Sequence, residues 1–365
     1  MPDFAAAAAA FHQSGRRSVL AITGGGSGLI GALLSVPGGS RSVLEAVVPY
    51  SLASLQRYLR TVPDRACSEE TALAMAAQSW TRAFSESGSD DALGFGMTAA
   101  LVSNRPKRGE HRVFAAAQTA DGTTLVSATL AKGCRTRPEE EVRAVELGFA
   151  ALMTSAGLRF DPSEVDGDDV RTTHAASHPG VREVRLGSEP YAWVTEPPVT
   201  DALLSGSFNP VHAGHTGLRS AAADFLGVPV AYEISLVNAD KPPLDDLRLA
   251  QRVEQLDGPV VVSAADTFVR KARSFPGTTF VVGFDTAARV LDPRYYAGGL
   301  DAALREVRRS NCRFLVAARV GDGVLRTLGD CDIPSEHSDL FRELPATLFR
   351  EDVSSTAIRA AGGVP

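Results

Sequence analysis

An apolar run that breaks off into small residues and resumes as a helical pattern constrains this chain more than any other stretch. The run is Ala202-Leu203-Leu204, the turn is Ser205-Gly206-Ser207-Phe208-Asn209-Pro210, and the helical pattern runs from Thr216 to Leu226. His212 and His215 bracket Gly214 where that pattern begins. This order predicts a strand, a tight loop of phosphate size, and a helix N-terminus flanked by two imidazoles. Free backbone N–H groups and the positive end of the helix dipole make such a place an anion site. Gly206 and Ser207 let a phosphate approach the backbone closely, and both imidazoles can donate hydrogen bonds to its oxygens. Two ordinary imidazoles beside a turn are a poor account of the pattern, because the chain of 365 residues holds only seven histidines.

Near the other end, Val353-Ser354-Ser355-Thr356-Ala357-Ile358-Arg359 offers a second anion-binding element. Ser354 or Ser355 can cap a helix and present hydroxyls and free N–H groups, and Arg359 one turn later can reach the same anion. Alone, this stretch would read as a plain capped terminal helix.

Apolar runs at 202–204, 231–237, 260–263, 279–282 and 314–317 alternate with helical patterns. That alternation predicts an α/β fold with a doubly wound, mostly parallel sheet from residue 201 to 365, its ligands at the carboxyl ends of the strands. Residues 17–158 show a second α/β pattern, with helices expected at 29–35, 68–84 and 138–156. The Ala-rich residues 1–16 are expected to form a frayed helix or tail. Residues 159–200, rich in Pro, Gly and Asp, are expected to be a linker between independently folding domains.

Composition removes several classes of function. Hydrophobic content of 44% and charged content of 22% are those of a soluble globular protein. The net charge of −6 argues against a nucleic-acid-binding surface. No apolar run reaches membrane-spanning length, and Met1-Pro2-Asp3-Phe4 lacks the positive start of a secretory signal, so a cytoplasmic protein is expected. The four cysteines form no CxxC pair, so neither a zinc site nor a disulfide framework is expected. Gly26-Ser27-Gly28-Leu29-Ile30-Gly31 matches G-x-G-x-x-G, yet the next apolar segment ends Val47-Val48-Pro49-Tyr50 without the acidic residue a dinucleotide ribose needs.

The loop from Gly206 to His215 resembles the GSF(D/N)PxHxGH element of the HxGH nucleotidyltransferases, specifically the nicotinate/nicotinamide mononucleotide adenylyltransferases. The stretch from Val353 to Arg359 resembles that family's (I/V)SSTxIR element. The resemblance implies transfer of an adenylyl group from ATP to a mononucleotide, with Mg²⁺ accompanying the triphosphate. It implies roles for His212, His215 and Arg359 at the phosphates, and for Gly206, Ser207, Phe208, Asn209, Gly214, Ser354, Ser355 and Thr356 around them. By the same resemblance, Asn238 and Lys241 follow the second strand, where the family has a phosphate-binding lysine, although Lys241 reads equally well as a solvated loop residue. Gly283 and Asp285 resemble a G-x-D that touches the nucleoside, Thr267 a threonine near the pyridine ring, and Arg319 an arginine that closes over the nucleotide. The implied partners are a nucleoside triphosphate and a phosphorylated small acceptor, with no nucleic acid or membrane, and a homo-oligomer is left open. A cytidylyltransferase on another acceptor and a non-catalytic nucleotide-binding regulator remain as alternatives.

Residues 17–157 resemble the CinA-type C-terminal domain, whose members hydrolyse the amide of nicotinamide mononucleotide. The resemblance rests on Gly28 to Ser40, on Val47-Val48-Pro49-Tyr50-Ser51 and on Ser68-Glu69-Glu70. Gly24 stands where that family carries its serine nucleophile, and Leu55 where it carries a lysine. A domain without amidase activity is therefore expected.

Overall fold

The protein is described here by a computed structural model covering residues 3–104, 108–321 and 323–351. It divides into two compact α/β units, residues 1–177 with 240–248, and residues 178–239 with 249–365. Among the described residues no helix is long and apolar enough to cross a membrane.

The first unit opens with α1 (Phe4–Gln13), β1 (Arg17–Gly24), α2 (Gly28–Leu34), α3 (Gly39–Ser42), β2 (Val43–Val47) and α4 (Leu52–Leu59). It continues through α5 (Glu69–Ser87), β3 (Ala92–Ala100), β4 (His111–Gln118), β5 (Gly122–Leu130), α6 (Arg137–Ser155) and β6 (Asp169–Ala176). The sheet order is β2-β1-β3-β4-β5-β6, parallel across the first three strands and antiparallel across the rest. The two long helices start where the sequence marks them. The Ser68 hydroxyl accepts the Thr71 N–H at 3.2 Å, and the Glu139 carboxylate accepts the Thr136 N–H at 2.7 Å. Each bond satisfies a backbone donor that a helix start would otherwise leave open.

The N-terminal stretch is a helix, as one of its two expected forms, but it is docked into this core instead of frayed. Asp3 caps α1 by accepting the Ala6 N–H, and Phe11 is fully buried among Leu33, Phe149 and their neighbours. An alanine run costs no side-chain entropy in a helix, and one aromatic anchor is enough to dock it. The expected linker is folded as well. Its residues 169–176 form β6 of the first sheet, so the division falls at Ser177 instead of spanning 159–200. Arg143 and Arg135 pair with the buried Asp168 at 3.0 and 2.7 Å, and Glu146 accepts the Ser163 N–H at 2.6 Å, fixing the approach to that strand.

The second unit carries α7 (Pro179–Leu186), β7 (Tyr191–Trp193), β8 (Ala202–Ser205), α8 (Ala213–Leu226), β9 (Ala231–Ser235), α9 (Asp246–Glu254) and β10 (Val260–Ser263). After these come α10 (Phe268–Ser274), β11 (Thr279–Gly283), α11 (Phe284–Val290), α12 (Leu300–Arg309) and β12 (Arg313–Gly321). The short strands β13 (Val324–Arg326), β14 (Phe341–Leu344) and β15 (Arg350–Glu351) close the described chain. Strands β10, β9, β8, β11, β12 and β14 lie parallel in that order, with β7 antiparallel at the β10 edge. This is the doubly wound arrangement, and the winding direction reverses between β8 and β11.

One segment departs from the expected domain order. Residues 240–248, between β9 and the body of α9, belong to the first unit. Asp246 is buried there, accepting from Gln118 Nε2 at 2.8 Å and from Thr123 Oγ1 at 3.2 Å. Leu247 packs with Phe114 and Leu125.

Phe11→Ala should destabilise the first unit by about 3–5 kcal/mol, the range for removing a buried aromatic side chain. Urea unfolding of the full chain measures this, and an unchanged midpoint would return residues 1–16 to the status of a tail.

Candidate functional site

Strand β8 is buried along its whole length and ends at Ser205, so the loop that follows emerges at the carboxyl edge beside the reversal point. The Gly206 N–H continues the ladder by donating to the Glu233 carbonyl at 3.1 Å. A Cβ at Gly206 would stand 2.7 Å from the Phe208 ring, so no side chain fits there. Phe208 itself has φ of +44° and is buried. Its ring meets the Tyr232 and His215 rings edge-on, with centroids 5.1 and 5.0 Å away. The loop is thus folded inward around one aromatic ring, which leaves Ser207 and Asn209 exposed.

His212 caps α8 in an extended conformation, and Gly214 and His215 lie in the helix's first turn. The His212 backbone N–H donates to His215 Nδ1 at 3.2 Å, so the neutral His215 ring carries its proton on Nε2. The two imidazoles stack with centroids 3.8 Å apart. Burial, then the neighbouring His212, pushes the His215 pKa down to about 4. Burial, then the positive Arg319, lowers that of His212 as well. Near neutral pH the pair is therefore two uncharged donors at the positive end of a helix, a site that accepts an anion without repelling a metal-bound one.

Across the reversal point, Gly283 ends β11 and caps α11, and Asp285 sits in the first turn of that helix. Asp285 forms an ion pair with Arg319, which β12 carries out past the edge of the sheet. The structure therefore brings together Phe208, His212, His215, Arg319 and Asp285. Thr267 caps α10 after β10, two strands away from β8. Asn238 is exposed in the loop after β9. Lys241 is exposed in the same connection, within the residues 240–248 that group with the first unit. Ser354, Ser355, Thr356 and Arg359 lie outside the described residues. The last described strand, β15, pairs Glu351 with Arg319.

Sequence reasoning missed Tyr232 and Glu233, which read only as parts of an apolar strand, and Ser205, which read only as the start of the turn. The Phe208–Tyr232 contact has no local signal, because it joins a loop to a neighbouring strand.

The glycine loop of the first unit has a different content. The Glu141 carboxylate, from the start of α6, accepts the Gly26 N–H at 2.9 Å and the Gly28 N–H at 3.2 Å. An internal anion thus fills the place where the G-x-G-x-x-G pattern would hold a phosphate. Gly24 has φ of +79°, and a Cβ there would lie 2.1 Å from the Ala99 carbonyl oxygen, so a serine does not fit that backbone. Thr23 is buried and donates to the Pro49 carbonyl at 3.0 Å, and Leu55 is buried.

Among the described residues one group of three metal-type ligands comes together, Asp301, Glu336 and His337. It is already saturated internally, since His337 bonds Asp301 at 2.9 Å and faces Arg308 at 3.3 Å, while Arg305 pairs with Asp301 at 2.7 Å.

No family model matches the chain. Over 109 residues it is 31% identical to a Schizosaccharomyces pombe protein named "Putative nicotinamide mononucleotide adenylyltransferase", a match covering 26% of this chain and 43% of that protein. The chain thus spans less than half the length of this curated relative. Among solved structures it is similar to the competence/damage inducible protein CihA from Agrobacterium tumefaciens, at 20% identity and a TM-score of 0.33, over 43% of this chain and 96% of that one. A CinA superfamily protein from Escherichia coli aligns at 15% identity and a TM-score of 0.32, over 42% of this chain and 87% of that one.

The depressed His215 pKa has a consequence for stability. The folded value lies below that of the unfolded chain, so its contribution is complete above the ordinary histidine pKa and is lost as pH falls toward about 4. His215→Gln should therefore lose less stability than the parent chain between pH 7 and about pH 4.5. Parallel urea unfolding at the two pH values measures it, and equal losses would show that His215 titrates normally.

Proposed function

We propose that the second unit is a nucleotidyltransferase that moves an adenylyl group from ATP to nicotinamide or nicotinate mononucleotide. The observation that carries this reading is the stacked His212–His215 pair at the N-terminus of α8, at the reversal point of a doubly wound sheet, with Arg319 close by. The name of the fission yeast relative supports the same reading.

In this reaction a phosphate oxygen of the mononucleotide attacks the α-phosphorus of ATP. The bond from that phosphorus to the bridging oxygen of the β-phosphate breaks, and pyrophosphate leaves. The nucleophile is already an anion, so no strong base is required, and the work is alignment and charge stabilisation. His212 and His215 donate hydrogen bonds to the phosphates from rings kept neutral by burial. Arg319 exchanges Asp285 for the leaving pyrophosphate. The likeness of Val353 to Arg359 to the (I/V)SSTxIR element supports a role for Ser354, Ser355, Thr356 and Arg359 at the triphosphate. Mg²⁺ carried by the triphosphate would supply further charge neutralisation. The partners are these two small molecules, not nucleic acid.

The first unit, in this reading, is not an amidohydrolase. Its loop lacks a hydroxyl at Gly24, and its own Glu141 occupies the neighbouring N–H groups.

Pyrophosphate release, screened with ATP and CTP against phosphorylated acceptors, tests the assignment. His212→Ala and His215→Ala should each lower turnover by at least ~100-fold, because each removes a donor that strengthens in the transition state. Full activity in both variants would remove the site from the chemistry. With nicotinamide mononucleotide alone, the full chain should release no ammonia in a coupled assay, since no activated nucleophile is present. Ammonia release lost on Thr23→Val or Ser27→Ala would instead establish a rebuilt hydrolase.

A further inference from the structure

On the strand next to the histidine loop and the helix after β10, the second unit buries a charged pair that the proposed transfer does not use. Glu233, in the middle of β9, is wholly inaccessible to solvent, and Lys271 in α10 is nearly so. Lys271 Nζ lies 2.5 Å from Glu233 Oε2, and Ser263 Oγ donates to Glu233 Oε1 at 2.6 Å. The ammonium also sits 4.9 Å from the centre of the Phe268 ring. A buried ion pair is weak grounds for stability, because the loss of hydration largely offsets the attraction. An apolar pair of similar size would fill the same space, so the question is what the fixed geometry achieves.

Both ends of the pair are tied to the carboxyl edge of the sheet. Glu233 is the register partner of Ser205, and its carbonyl receives the Gly206 N–H that starts the histidine loop. Lys271 stands one turn into α10, and its N–H donates to the carbonyl of Thr267, the residue that caps that helix. The ion pair therefore fixes the spacing between the loop after β8 and the helix start after β10. Ser205, whose side chain leaves the same face as that of its register partner, is buried with no hydrogen-bond partner for its Oγ among the described residues.

The sheet divides this edge into two halves. Arg319 and Asp285 lie on the β11–β12 side, and β15 brings the end of the described chain to Arg319 there. A ligand pair meeting at the reversal point must put its other half on the β9–β10 side. That side is the one Glu233 and Lys271 fix.

We propose that Glu233 and Lys271 are positioning residues for the acceptor half of the site, holding the start of α10 at a set distance from the histidine loop. The inference rests on the transferase reading. Neither residue touches the reacting atoms. Their effect is on how well a mononucleotide is held, not on how the triphosphate is bound.

The test uses the full chain carrying Glu233→Met together with Lys271→Met, which replaces the pair by apolar side chains of similar length. Initial rates are measured with ATP and nicotinamide mononucleotide, each varied in turn, alongside the parent chain and a thermal melt. The KM for the mononucleotide should rise by about tenfold with the KM for ATP and the Tm close to the parent's. Glu233→Gln, which keeps one acceptor oxygen and removes the negative charge, should give an intermediate rise, and it serves as the test if the double variant does not fold. Unchanged KM values would reduce the pair to core structure. Parallel rises in both KM values with a lowered Tm would show a general loss of order and overturn the assignment equally. Inactivity of the parent chain with every donor and acceptor would instead remove the transferase reading on which it rests.

Discussion

The Phe208 ring occupies the space that a side chain at position 206 would need, and the candidate site depends on that substitution of ring for side chain. With the ring packed edge-on against Tyr232 and His215, the loop after β8 turns inward and the first turn of α8 is held against the sheet. The capping residue then supplies the N–H that fixes His215's tautomer. Burial of that ring, and then the neighbouring His212, also keeps its proton affinity low. Packing, orientation and electrostatics at the site are therefore consequences of one aromatic contact and one glycine.

The two glycine-rich loops of the chain show how little a short motif settles by itself. Each follows the first parallel strand of its unit and precedes a helix. In the first unit the exposed N–H groups are taken by the carboxylate of Glu141, a residue that arrives from a distant helix. In the second unit the corresponding position is flanked by uncharged imidazoles at the start of a long helix. Local sequence specifies the loop, and the tertiary partner decides whether it has an anion of its own.

Much of the fold is legible from the sequence because alternating apolar runs and helix caps are local signals. Ser68 and Glu139 satisfy N–H groups at helix starts as their spacing implies, and the parallel pairing in the second unit follows from the βα alternation. The docking of residues 1–16 and the folding of 159–200 are not legible because composition reports average behaviour, whereas Phe11 and Asp168 each make one decisive buried contact. The grouping of residues 240–248 with the first unit is hidden for a similar reason, because nothing nearby announces that Asp246 and Leu247 are held by Gln118, Thr123 and Phe114, far away in the chain. At the site, His212 and His215 are legible as a motif, but the mutual pairing of Arg319 and Asp285 is not, since each was read as a ligand contact of its own.

The central claim is that the anion site of this protein lies at the start of α8 and not in the glycine loop of the first unit. A crystal structure of the full chain with a non-hydrolysable ATP analogue tests it most directly. The account predicts the triphosphate against the N–H groups and imidazoles of His212 and His215, with Arg319 turned from Asp285 onto the phosphates. A triphosphate seated instead at Gly24–Gly28, with Glu141 displaced, would contradict it.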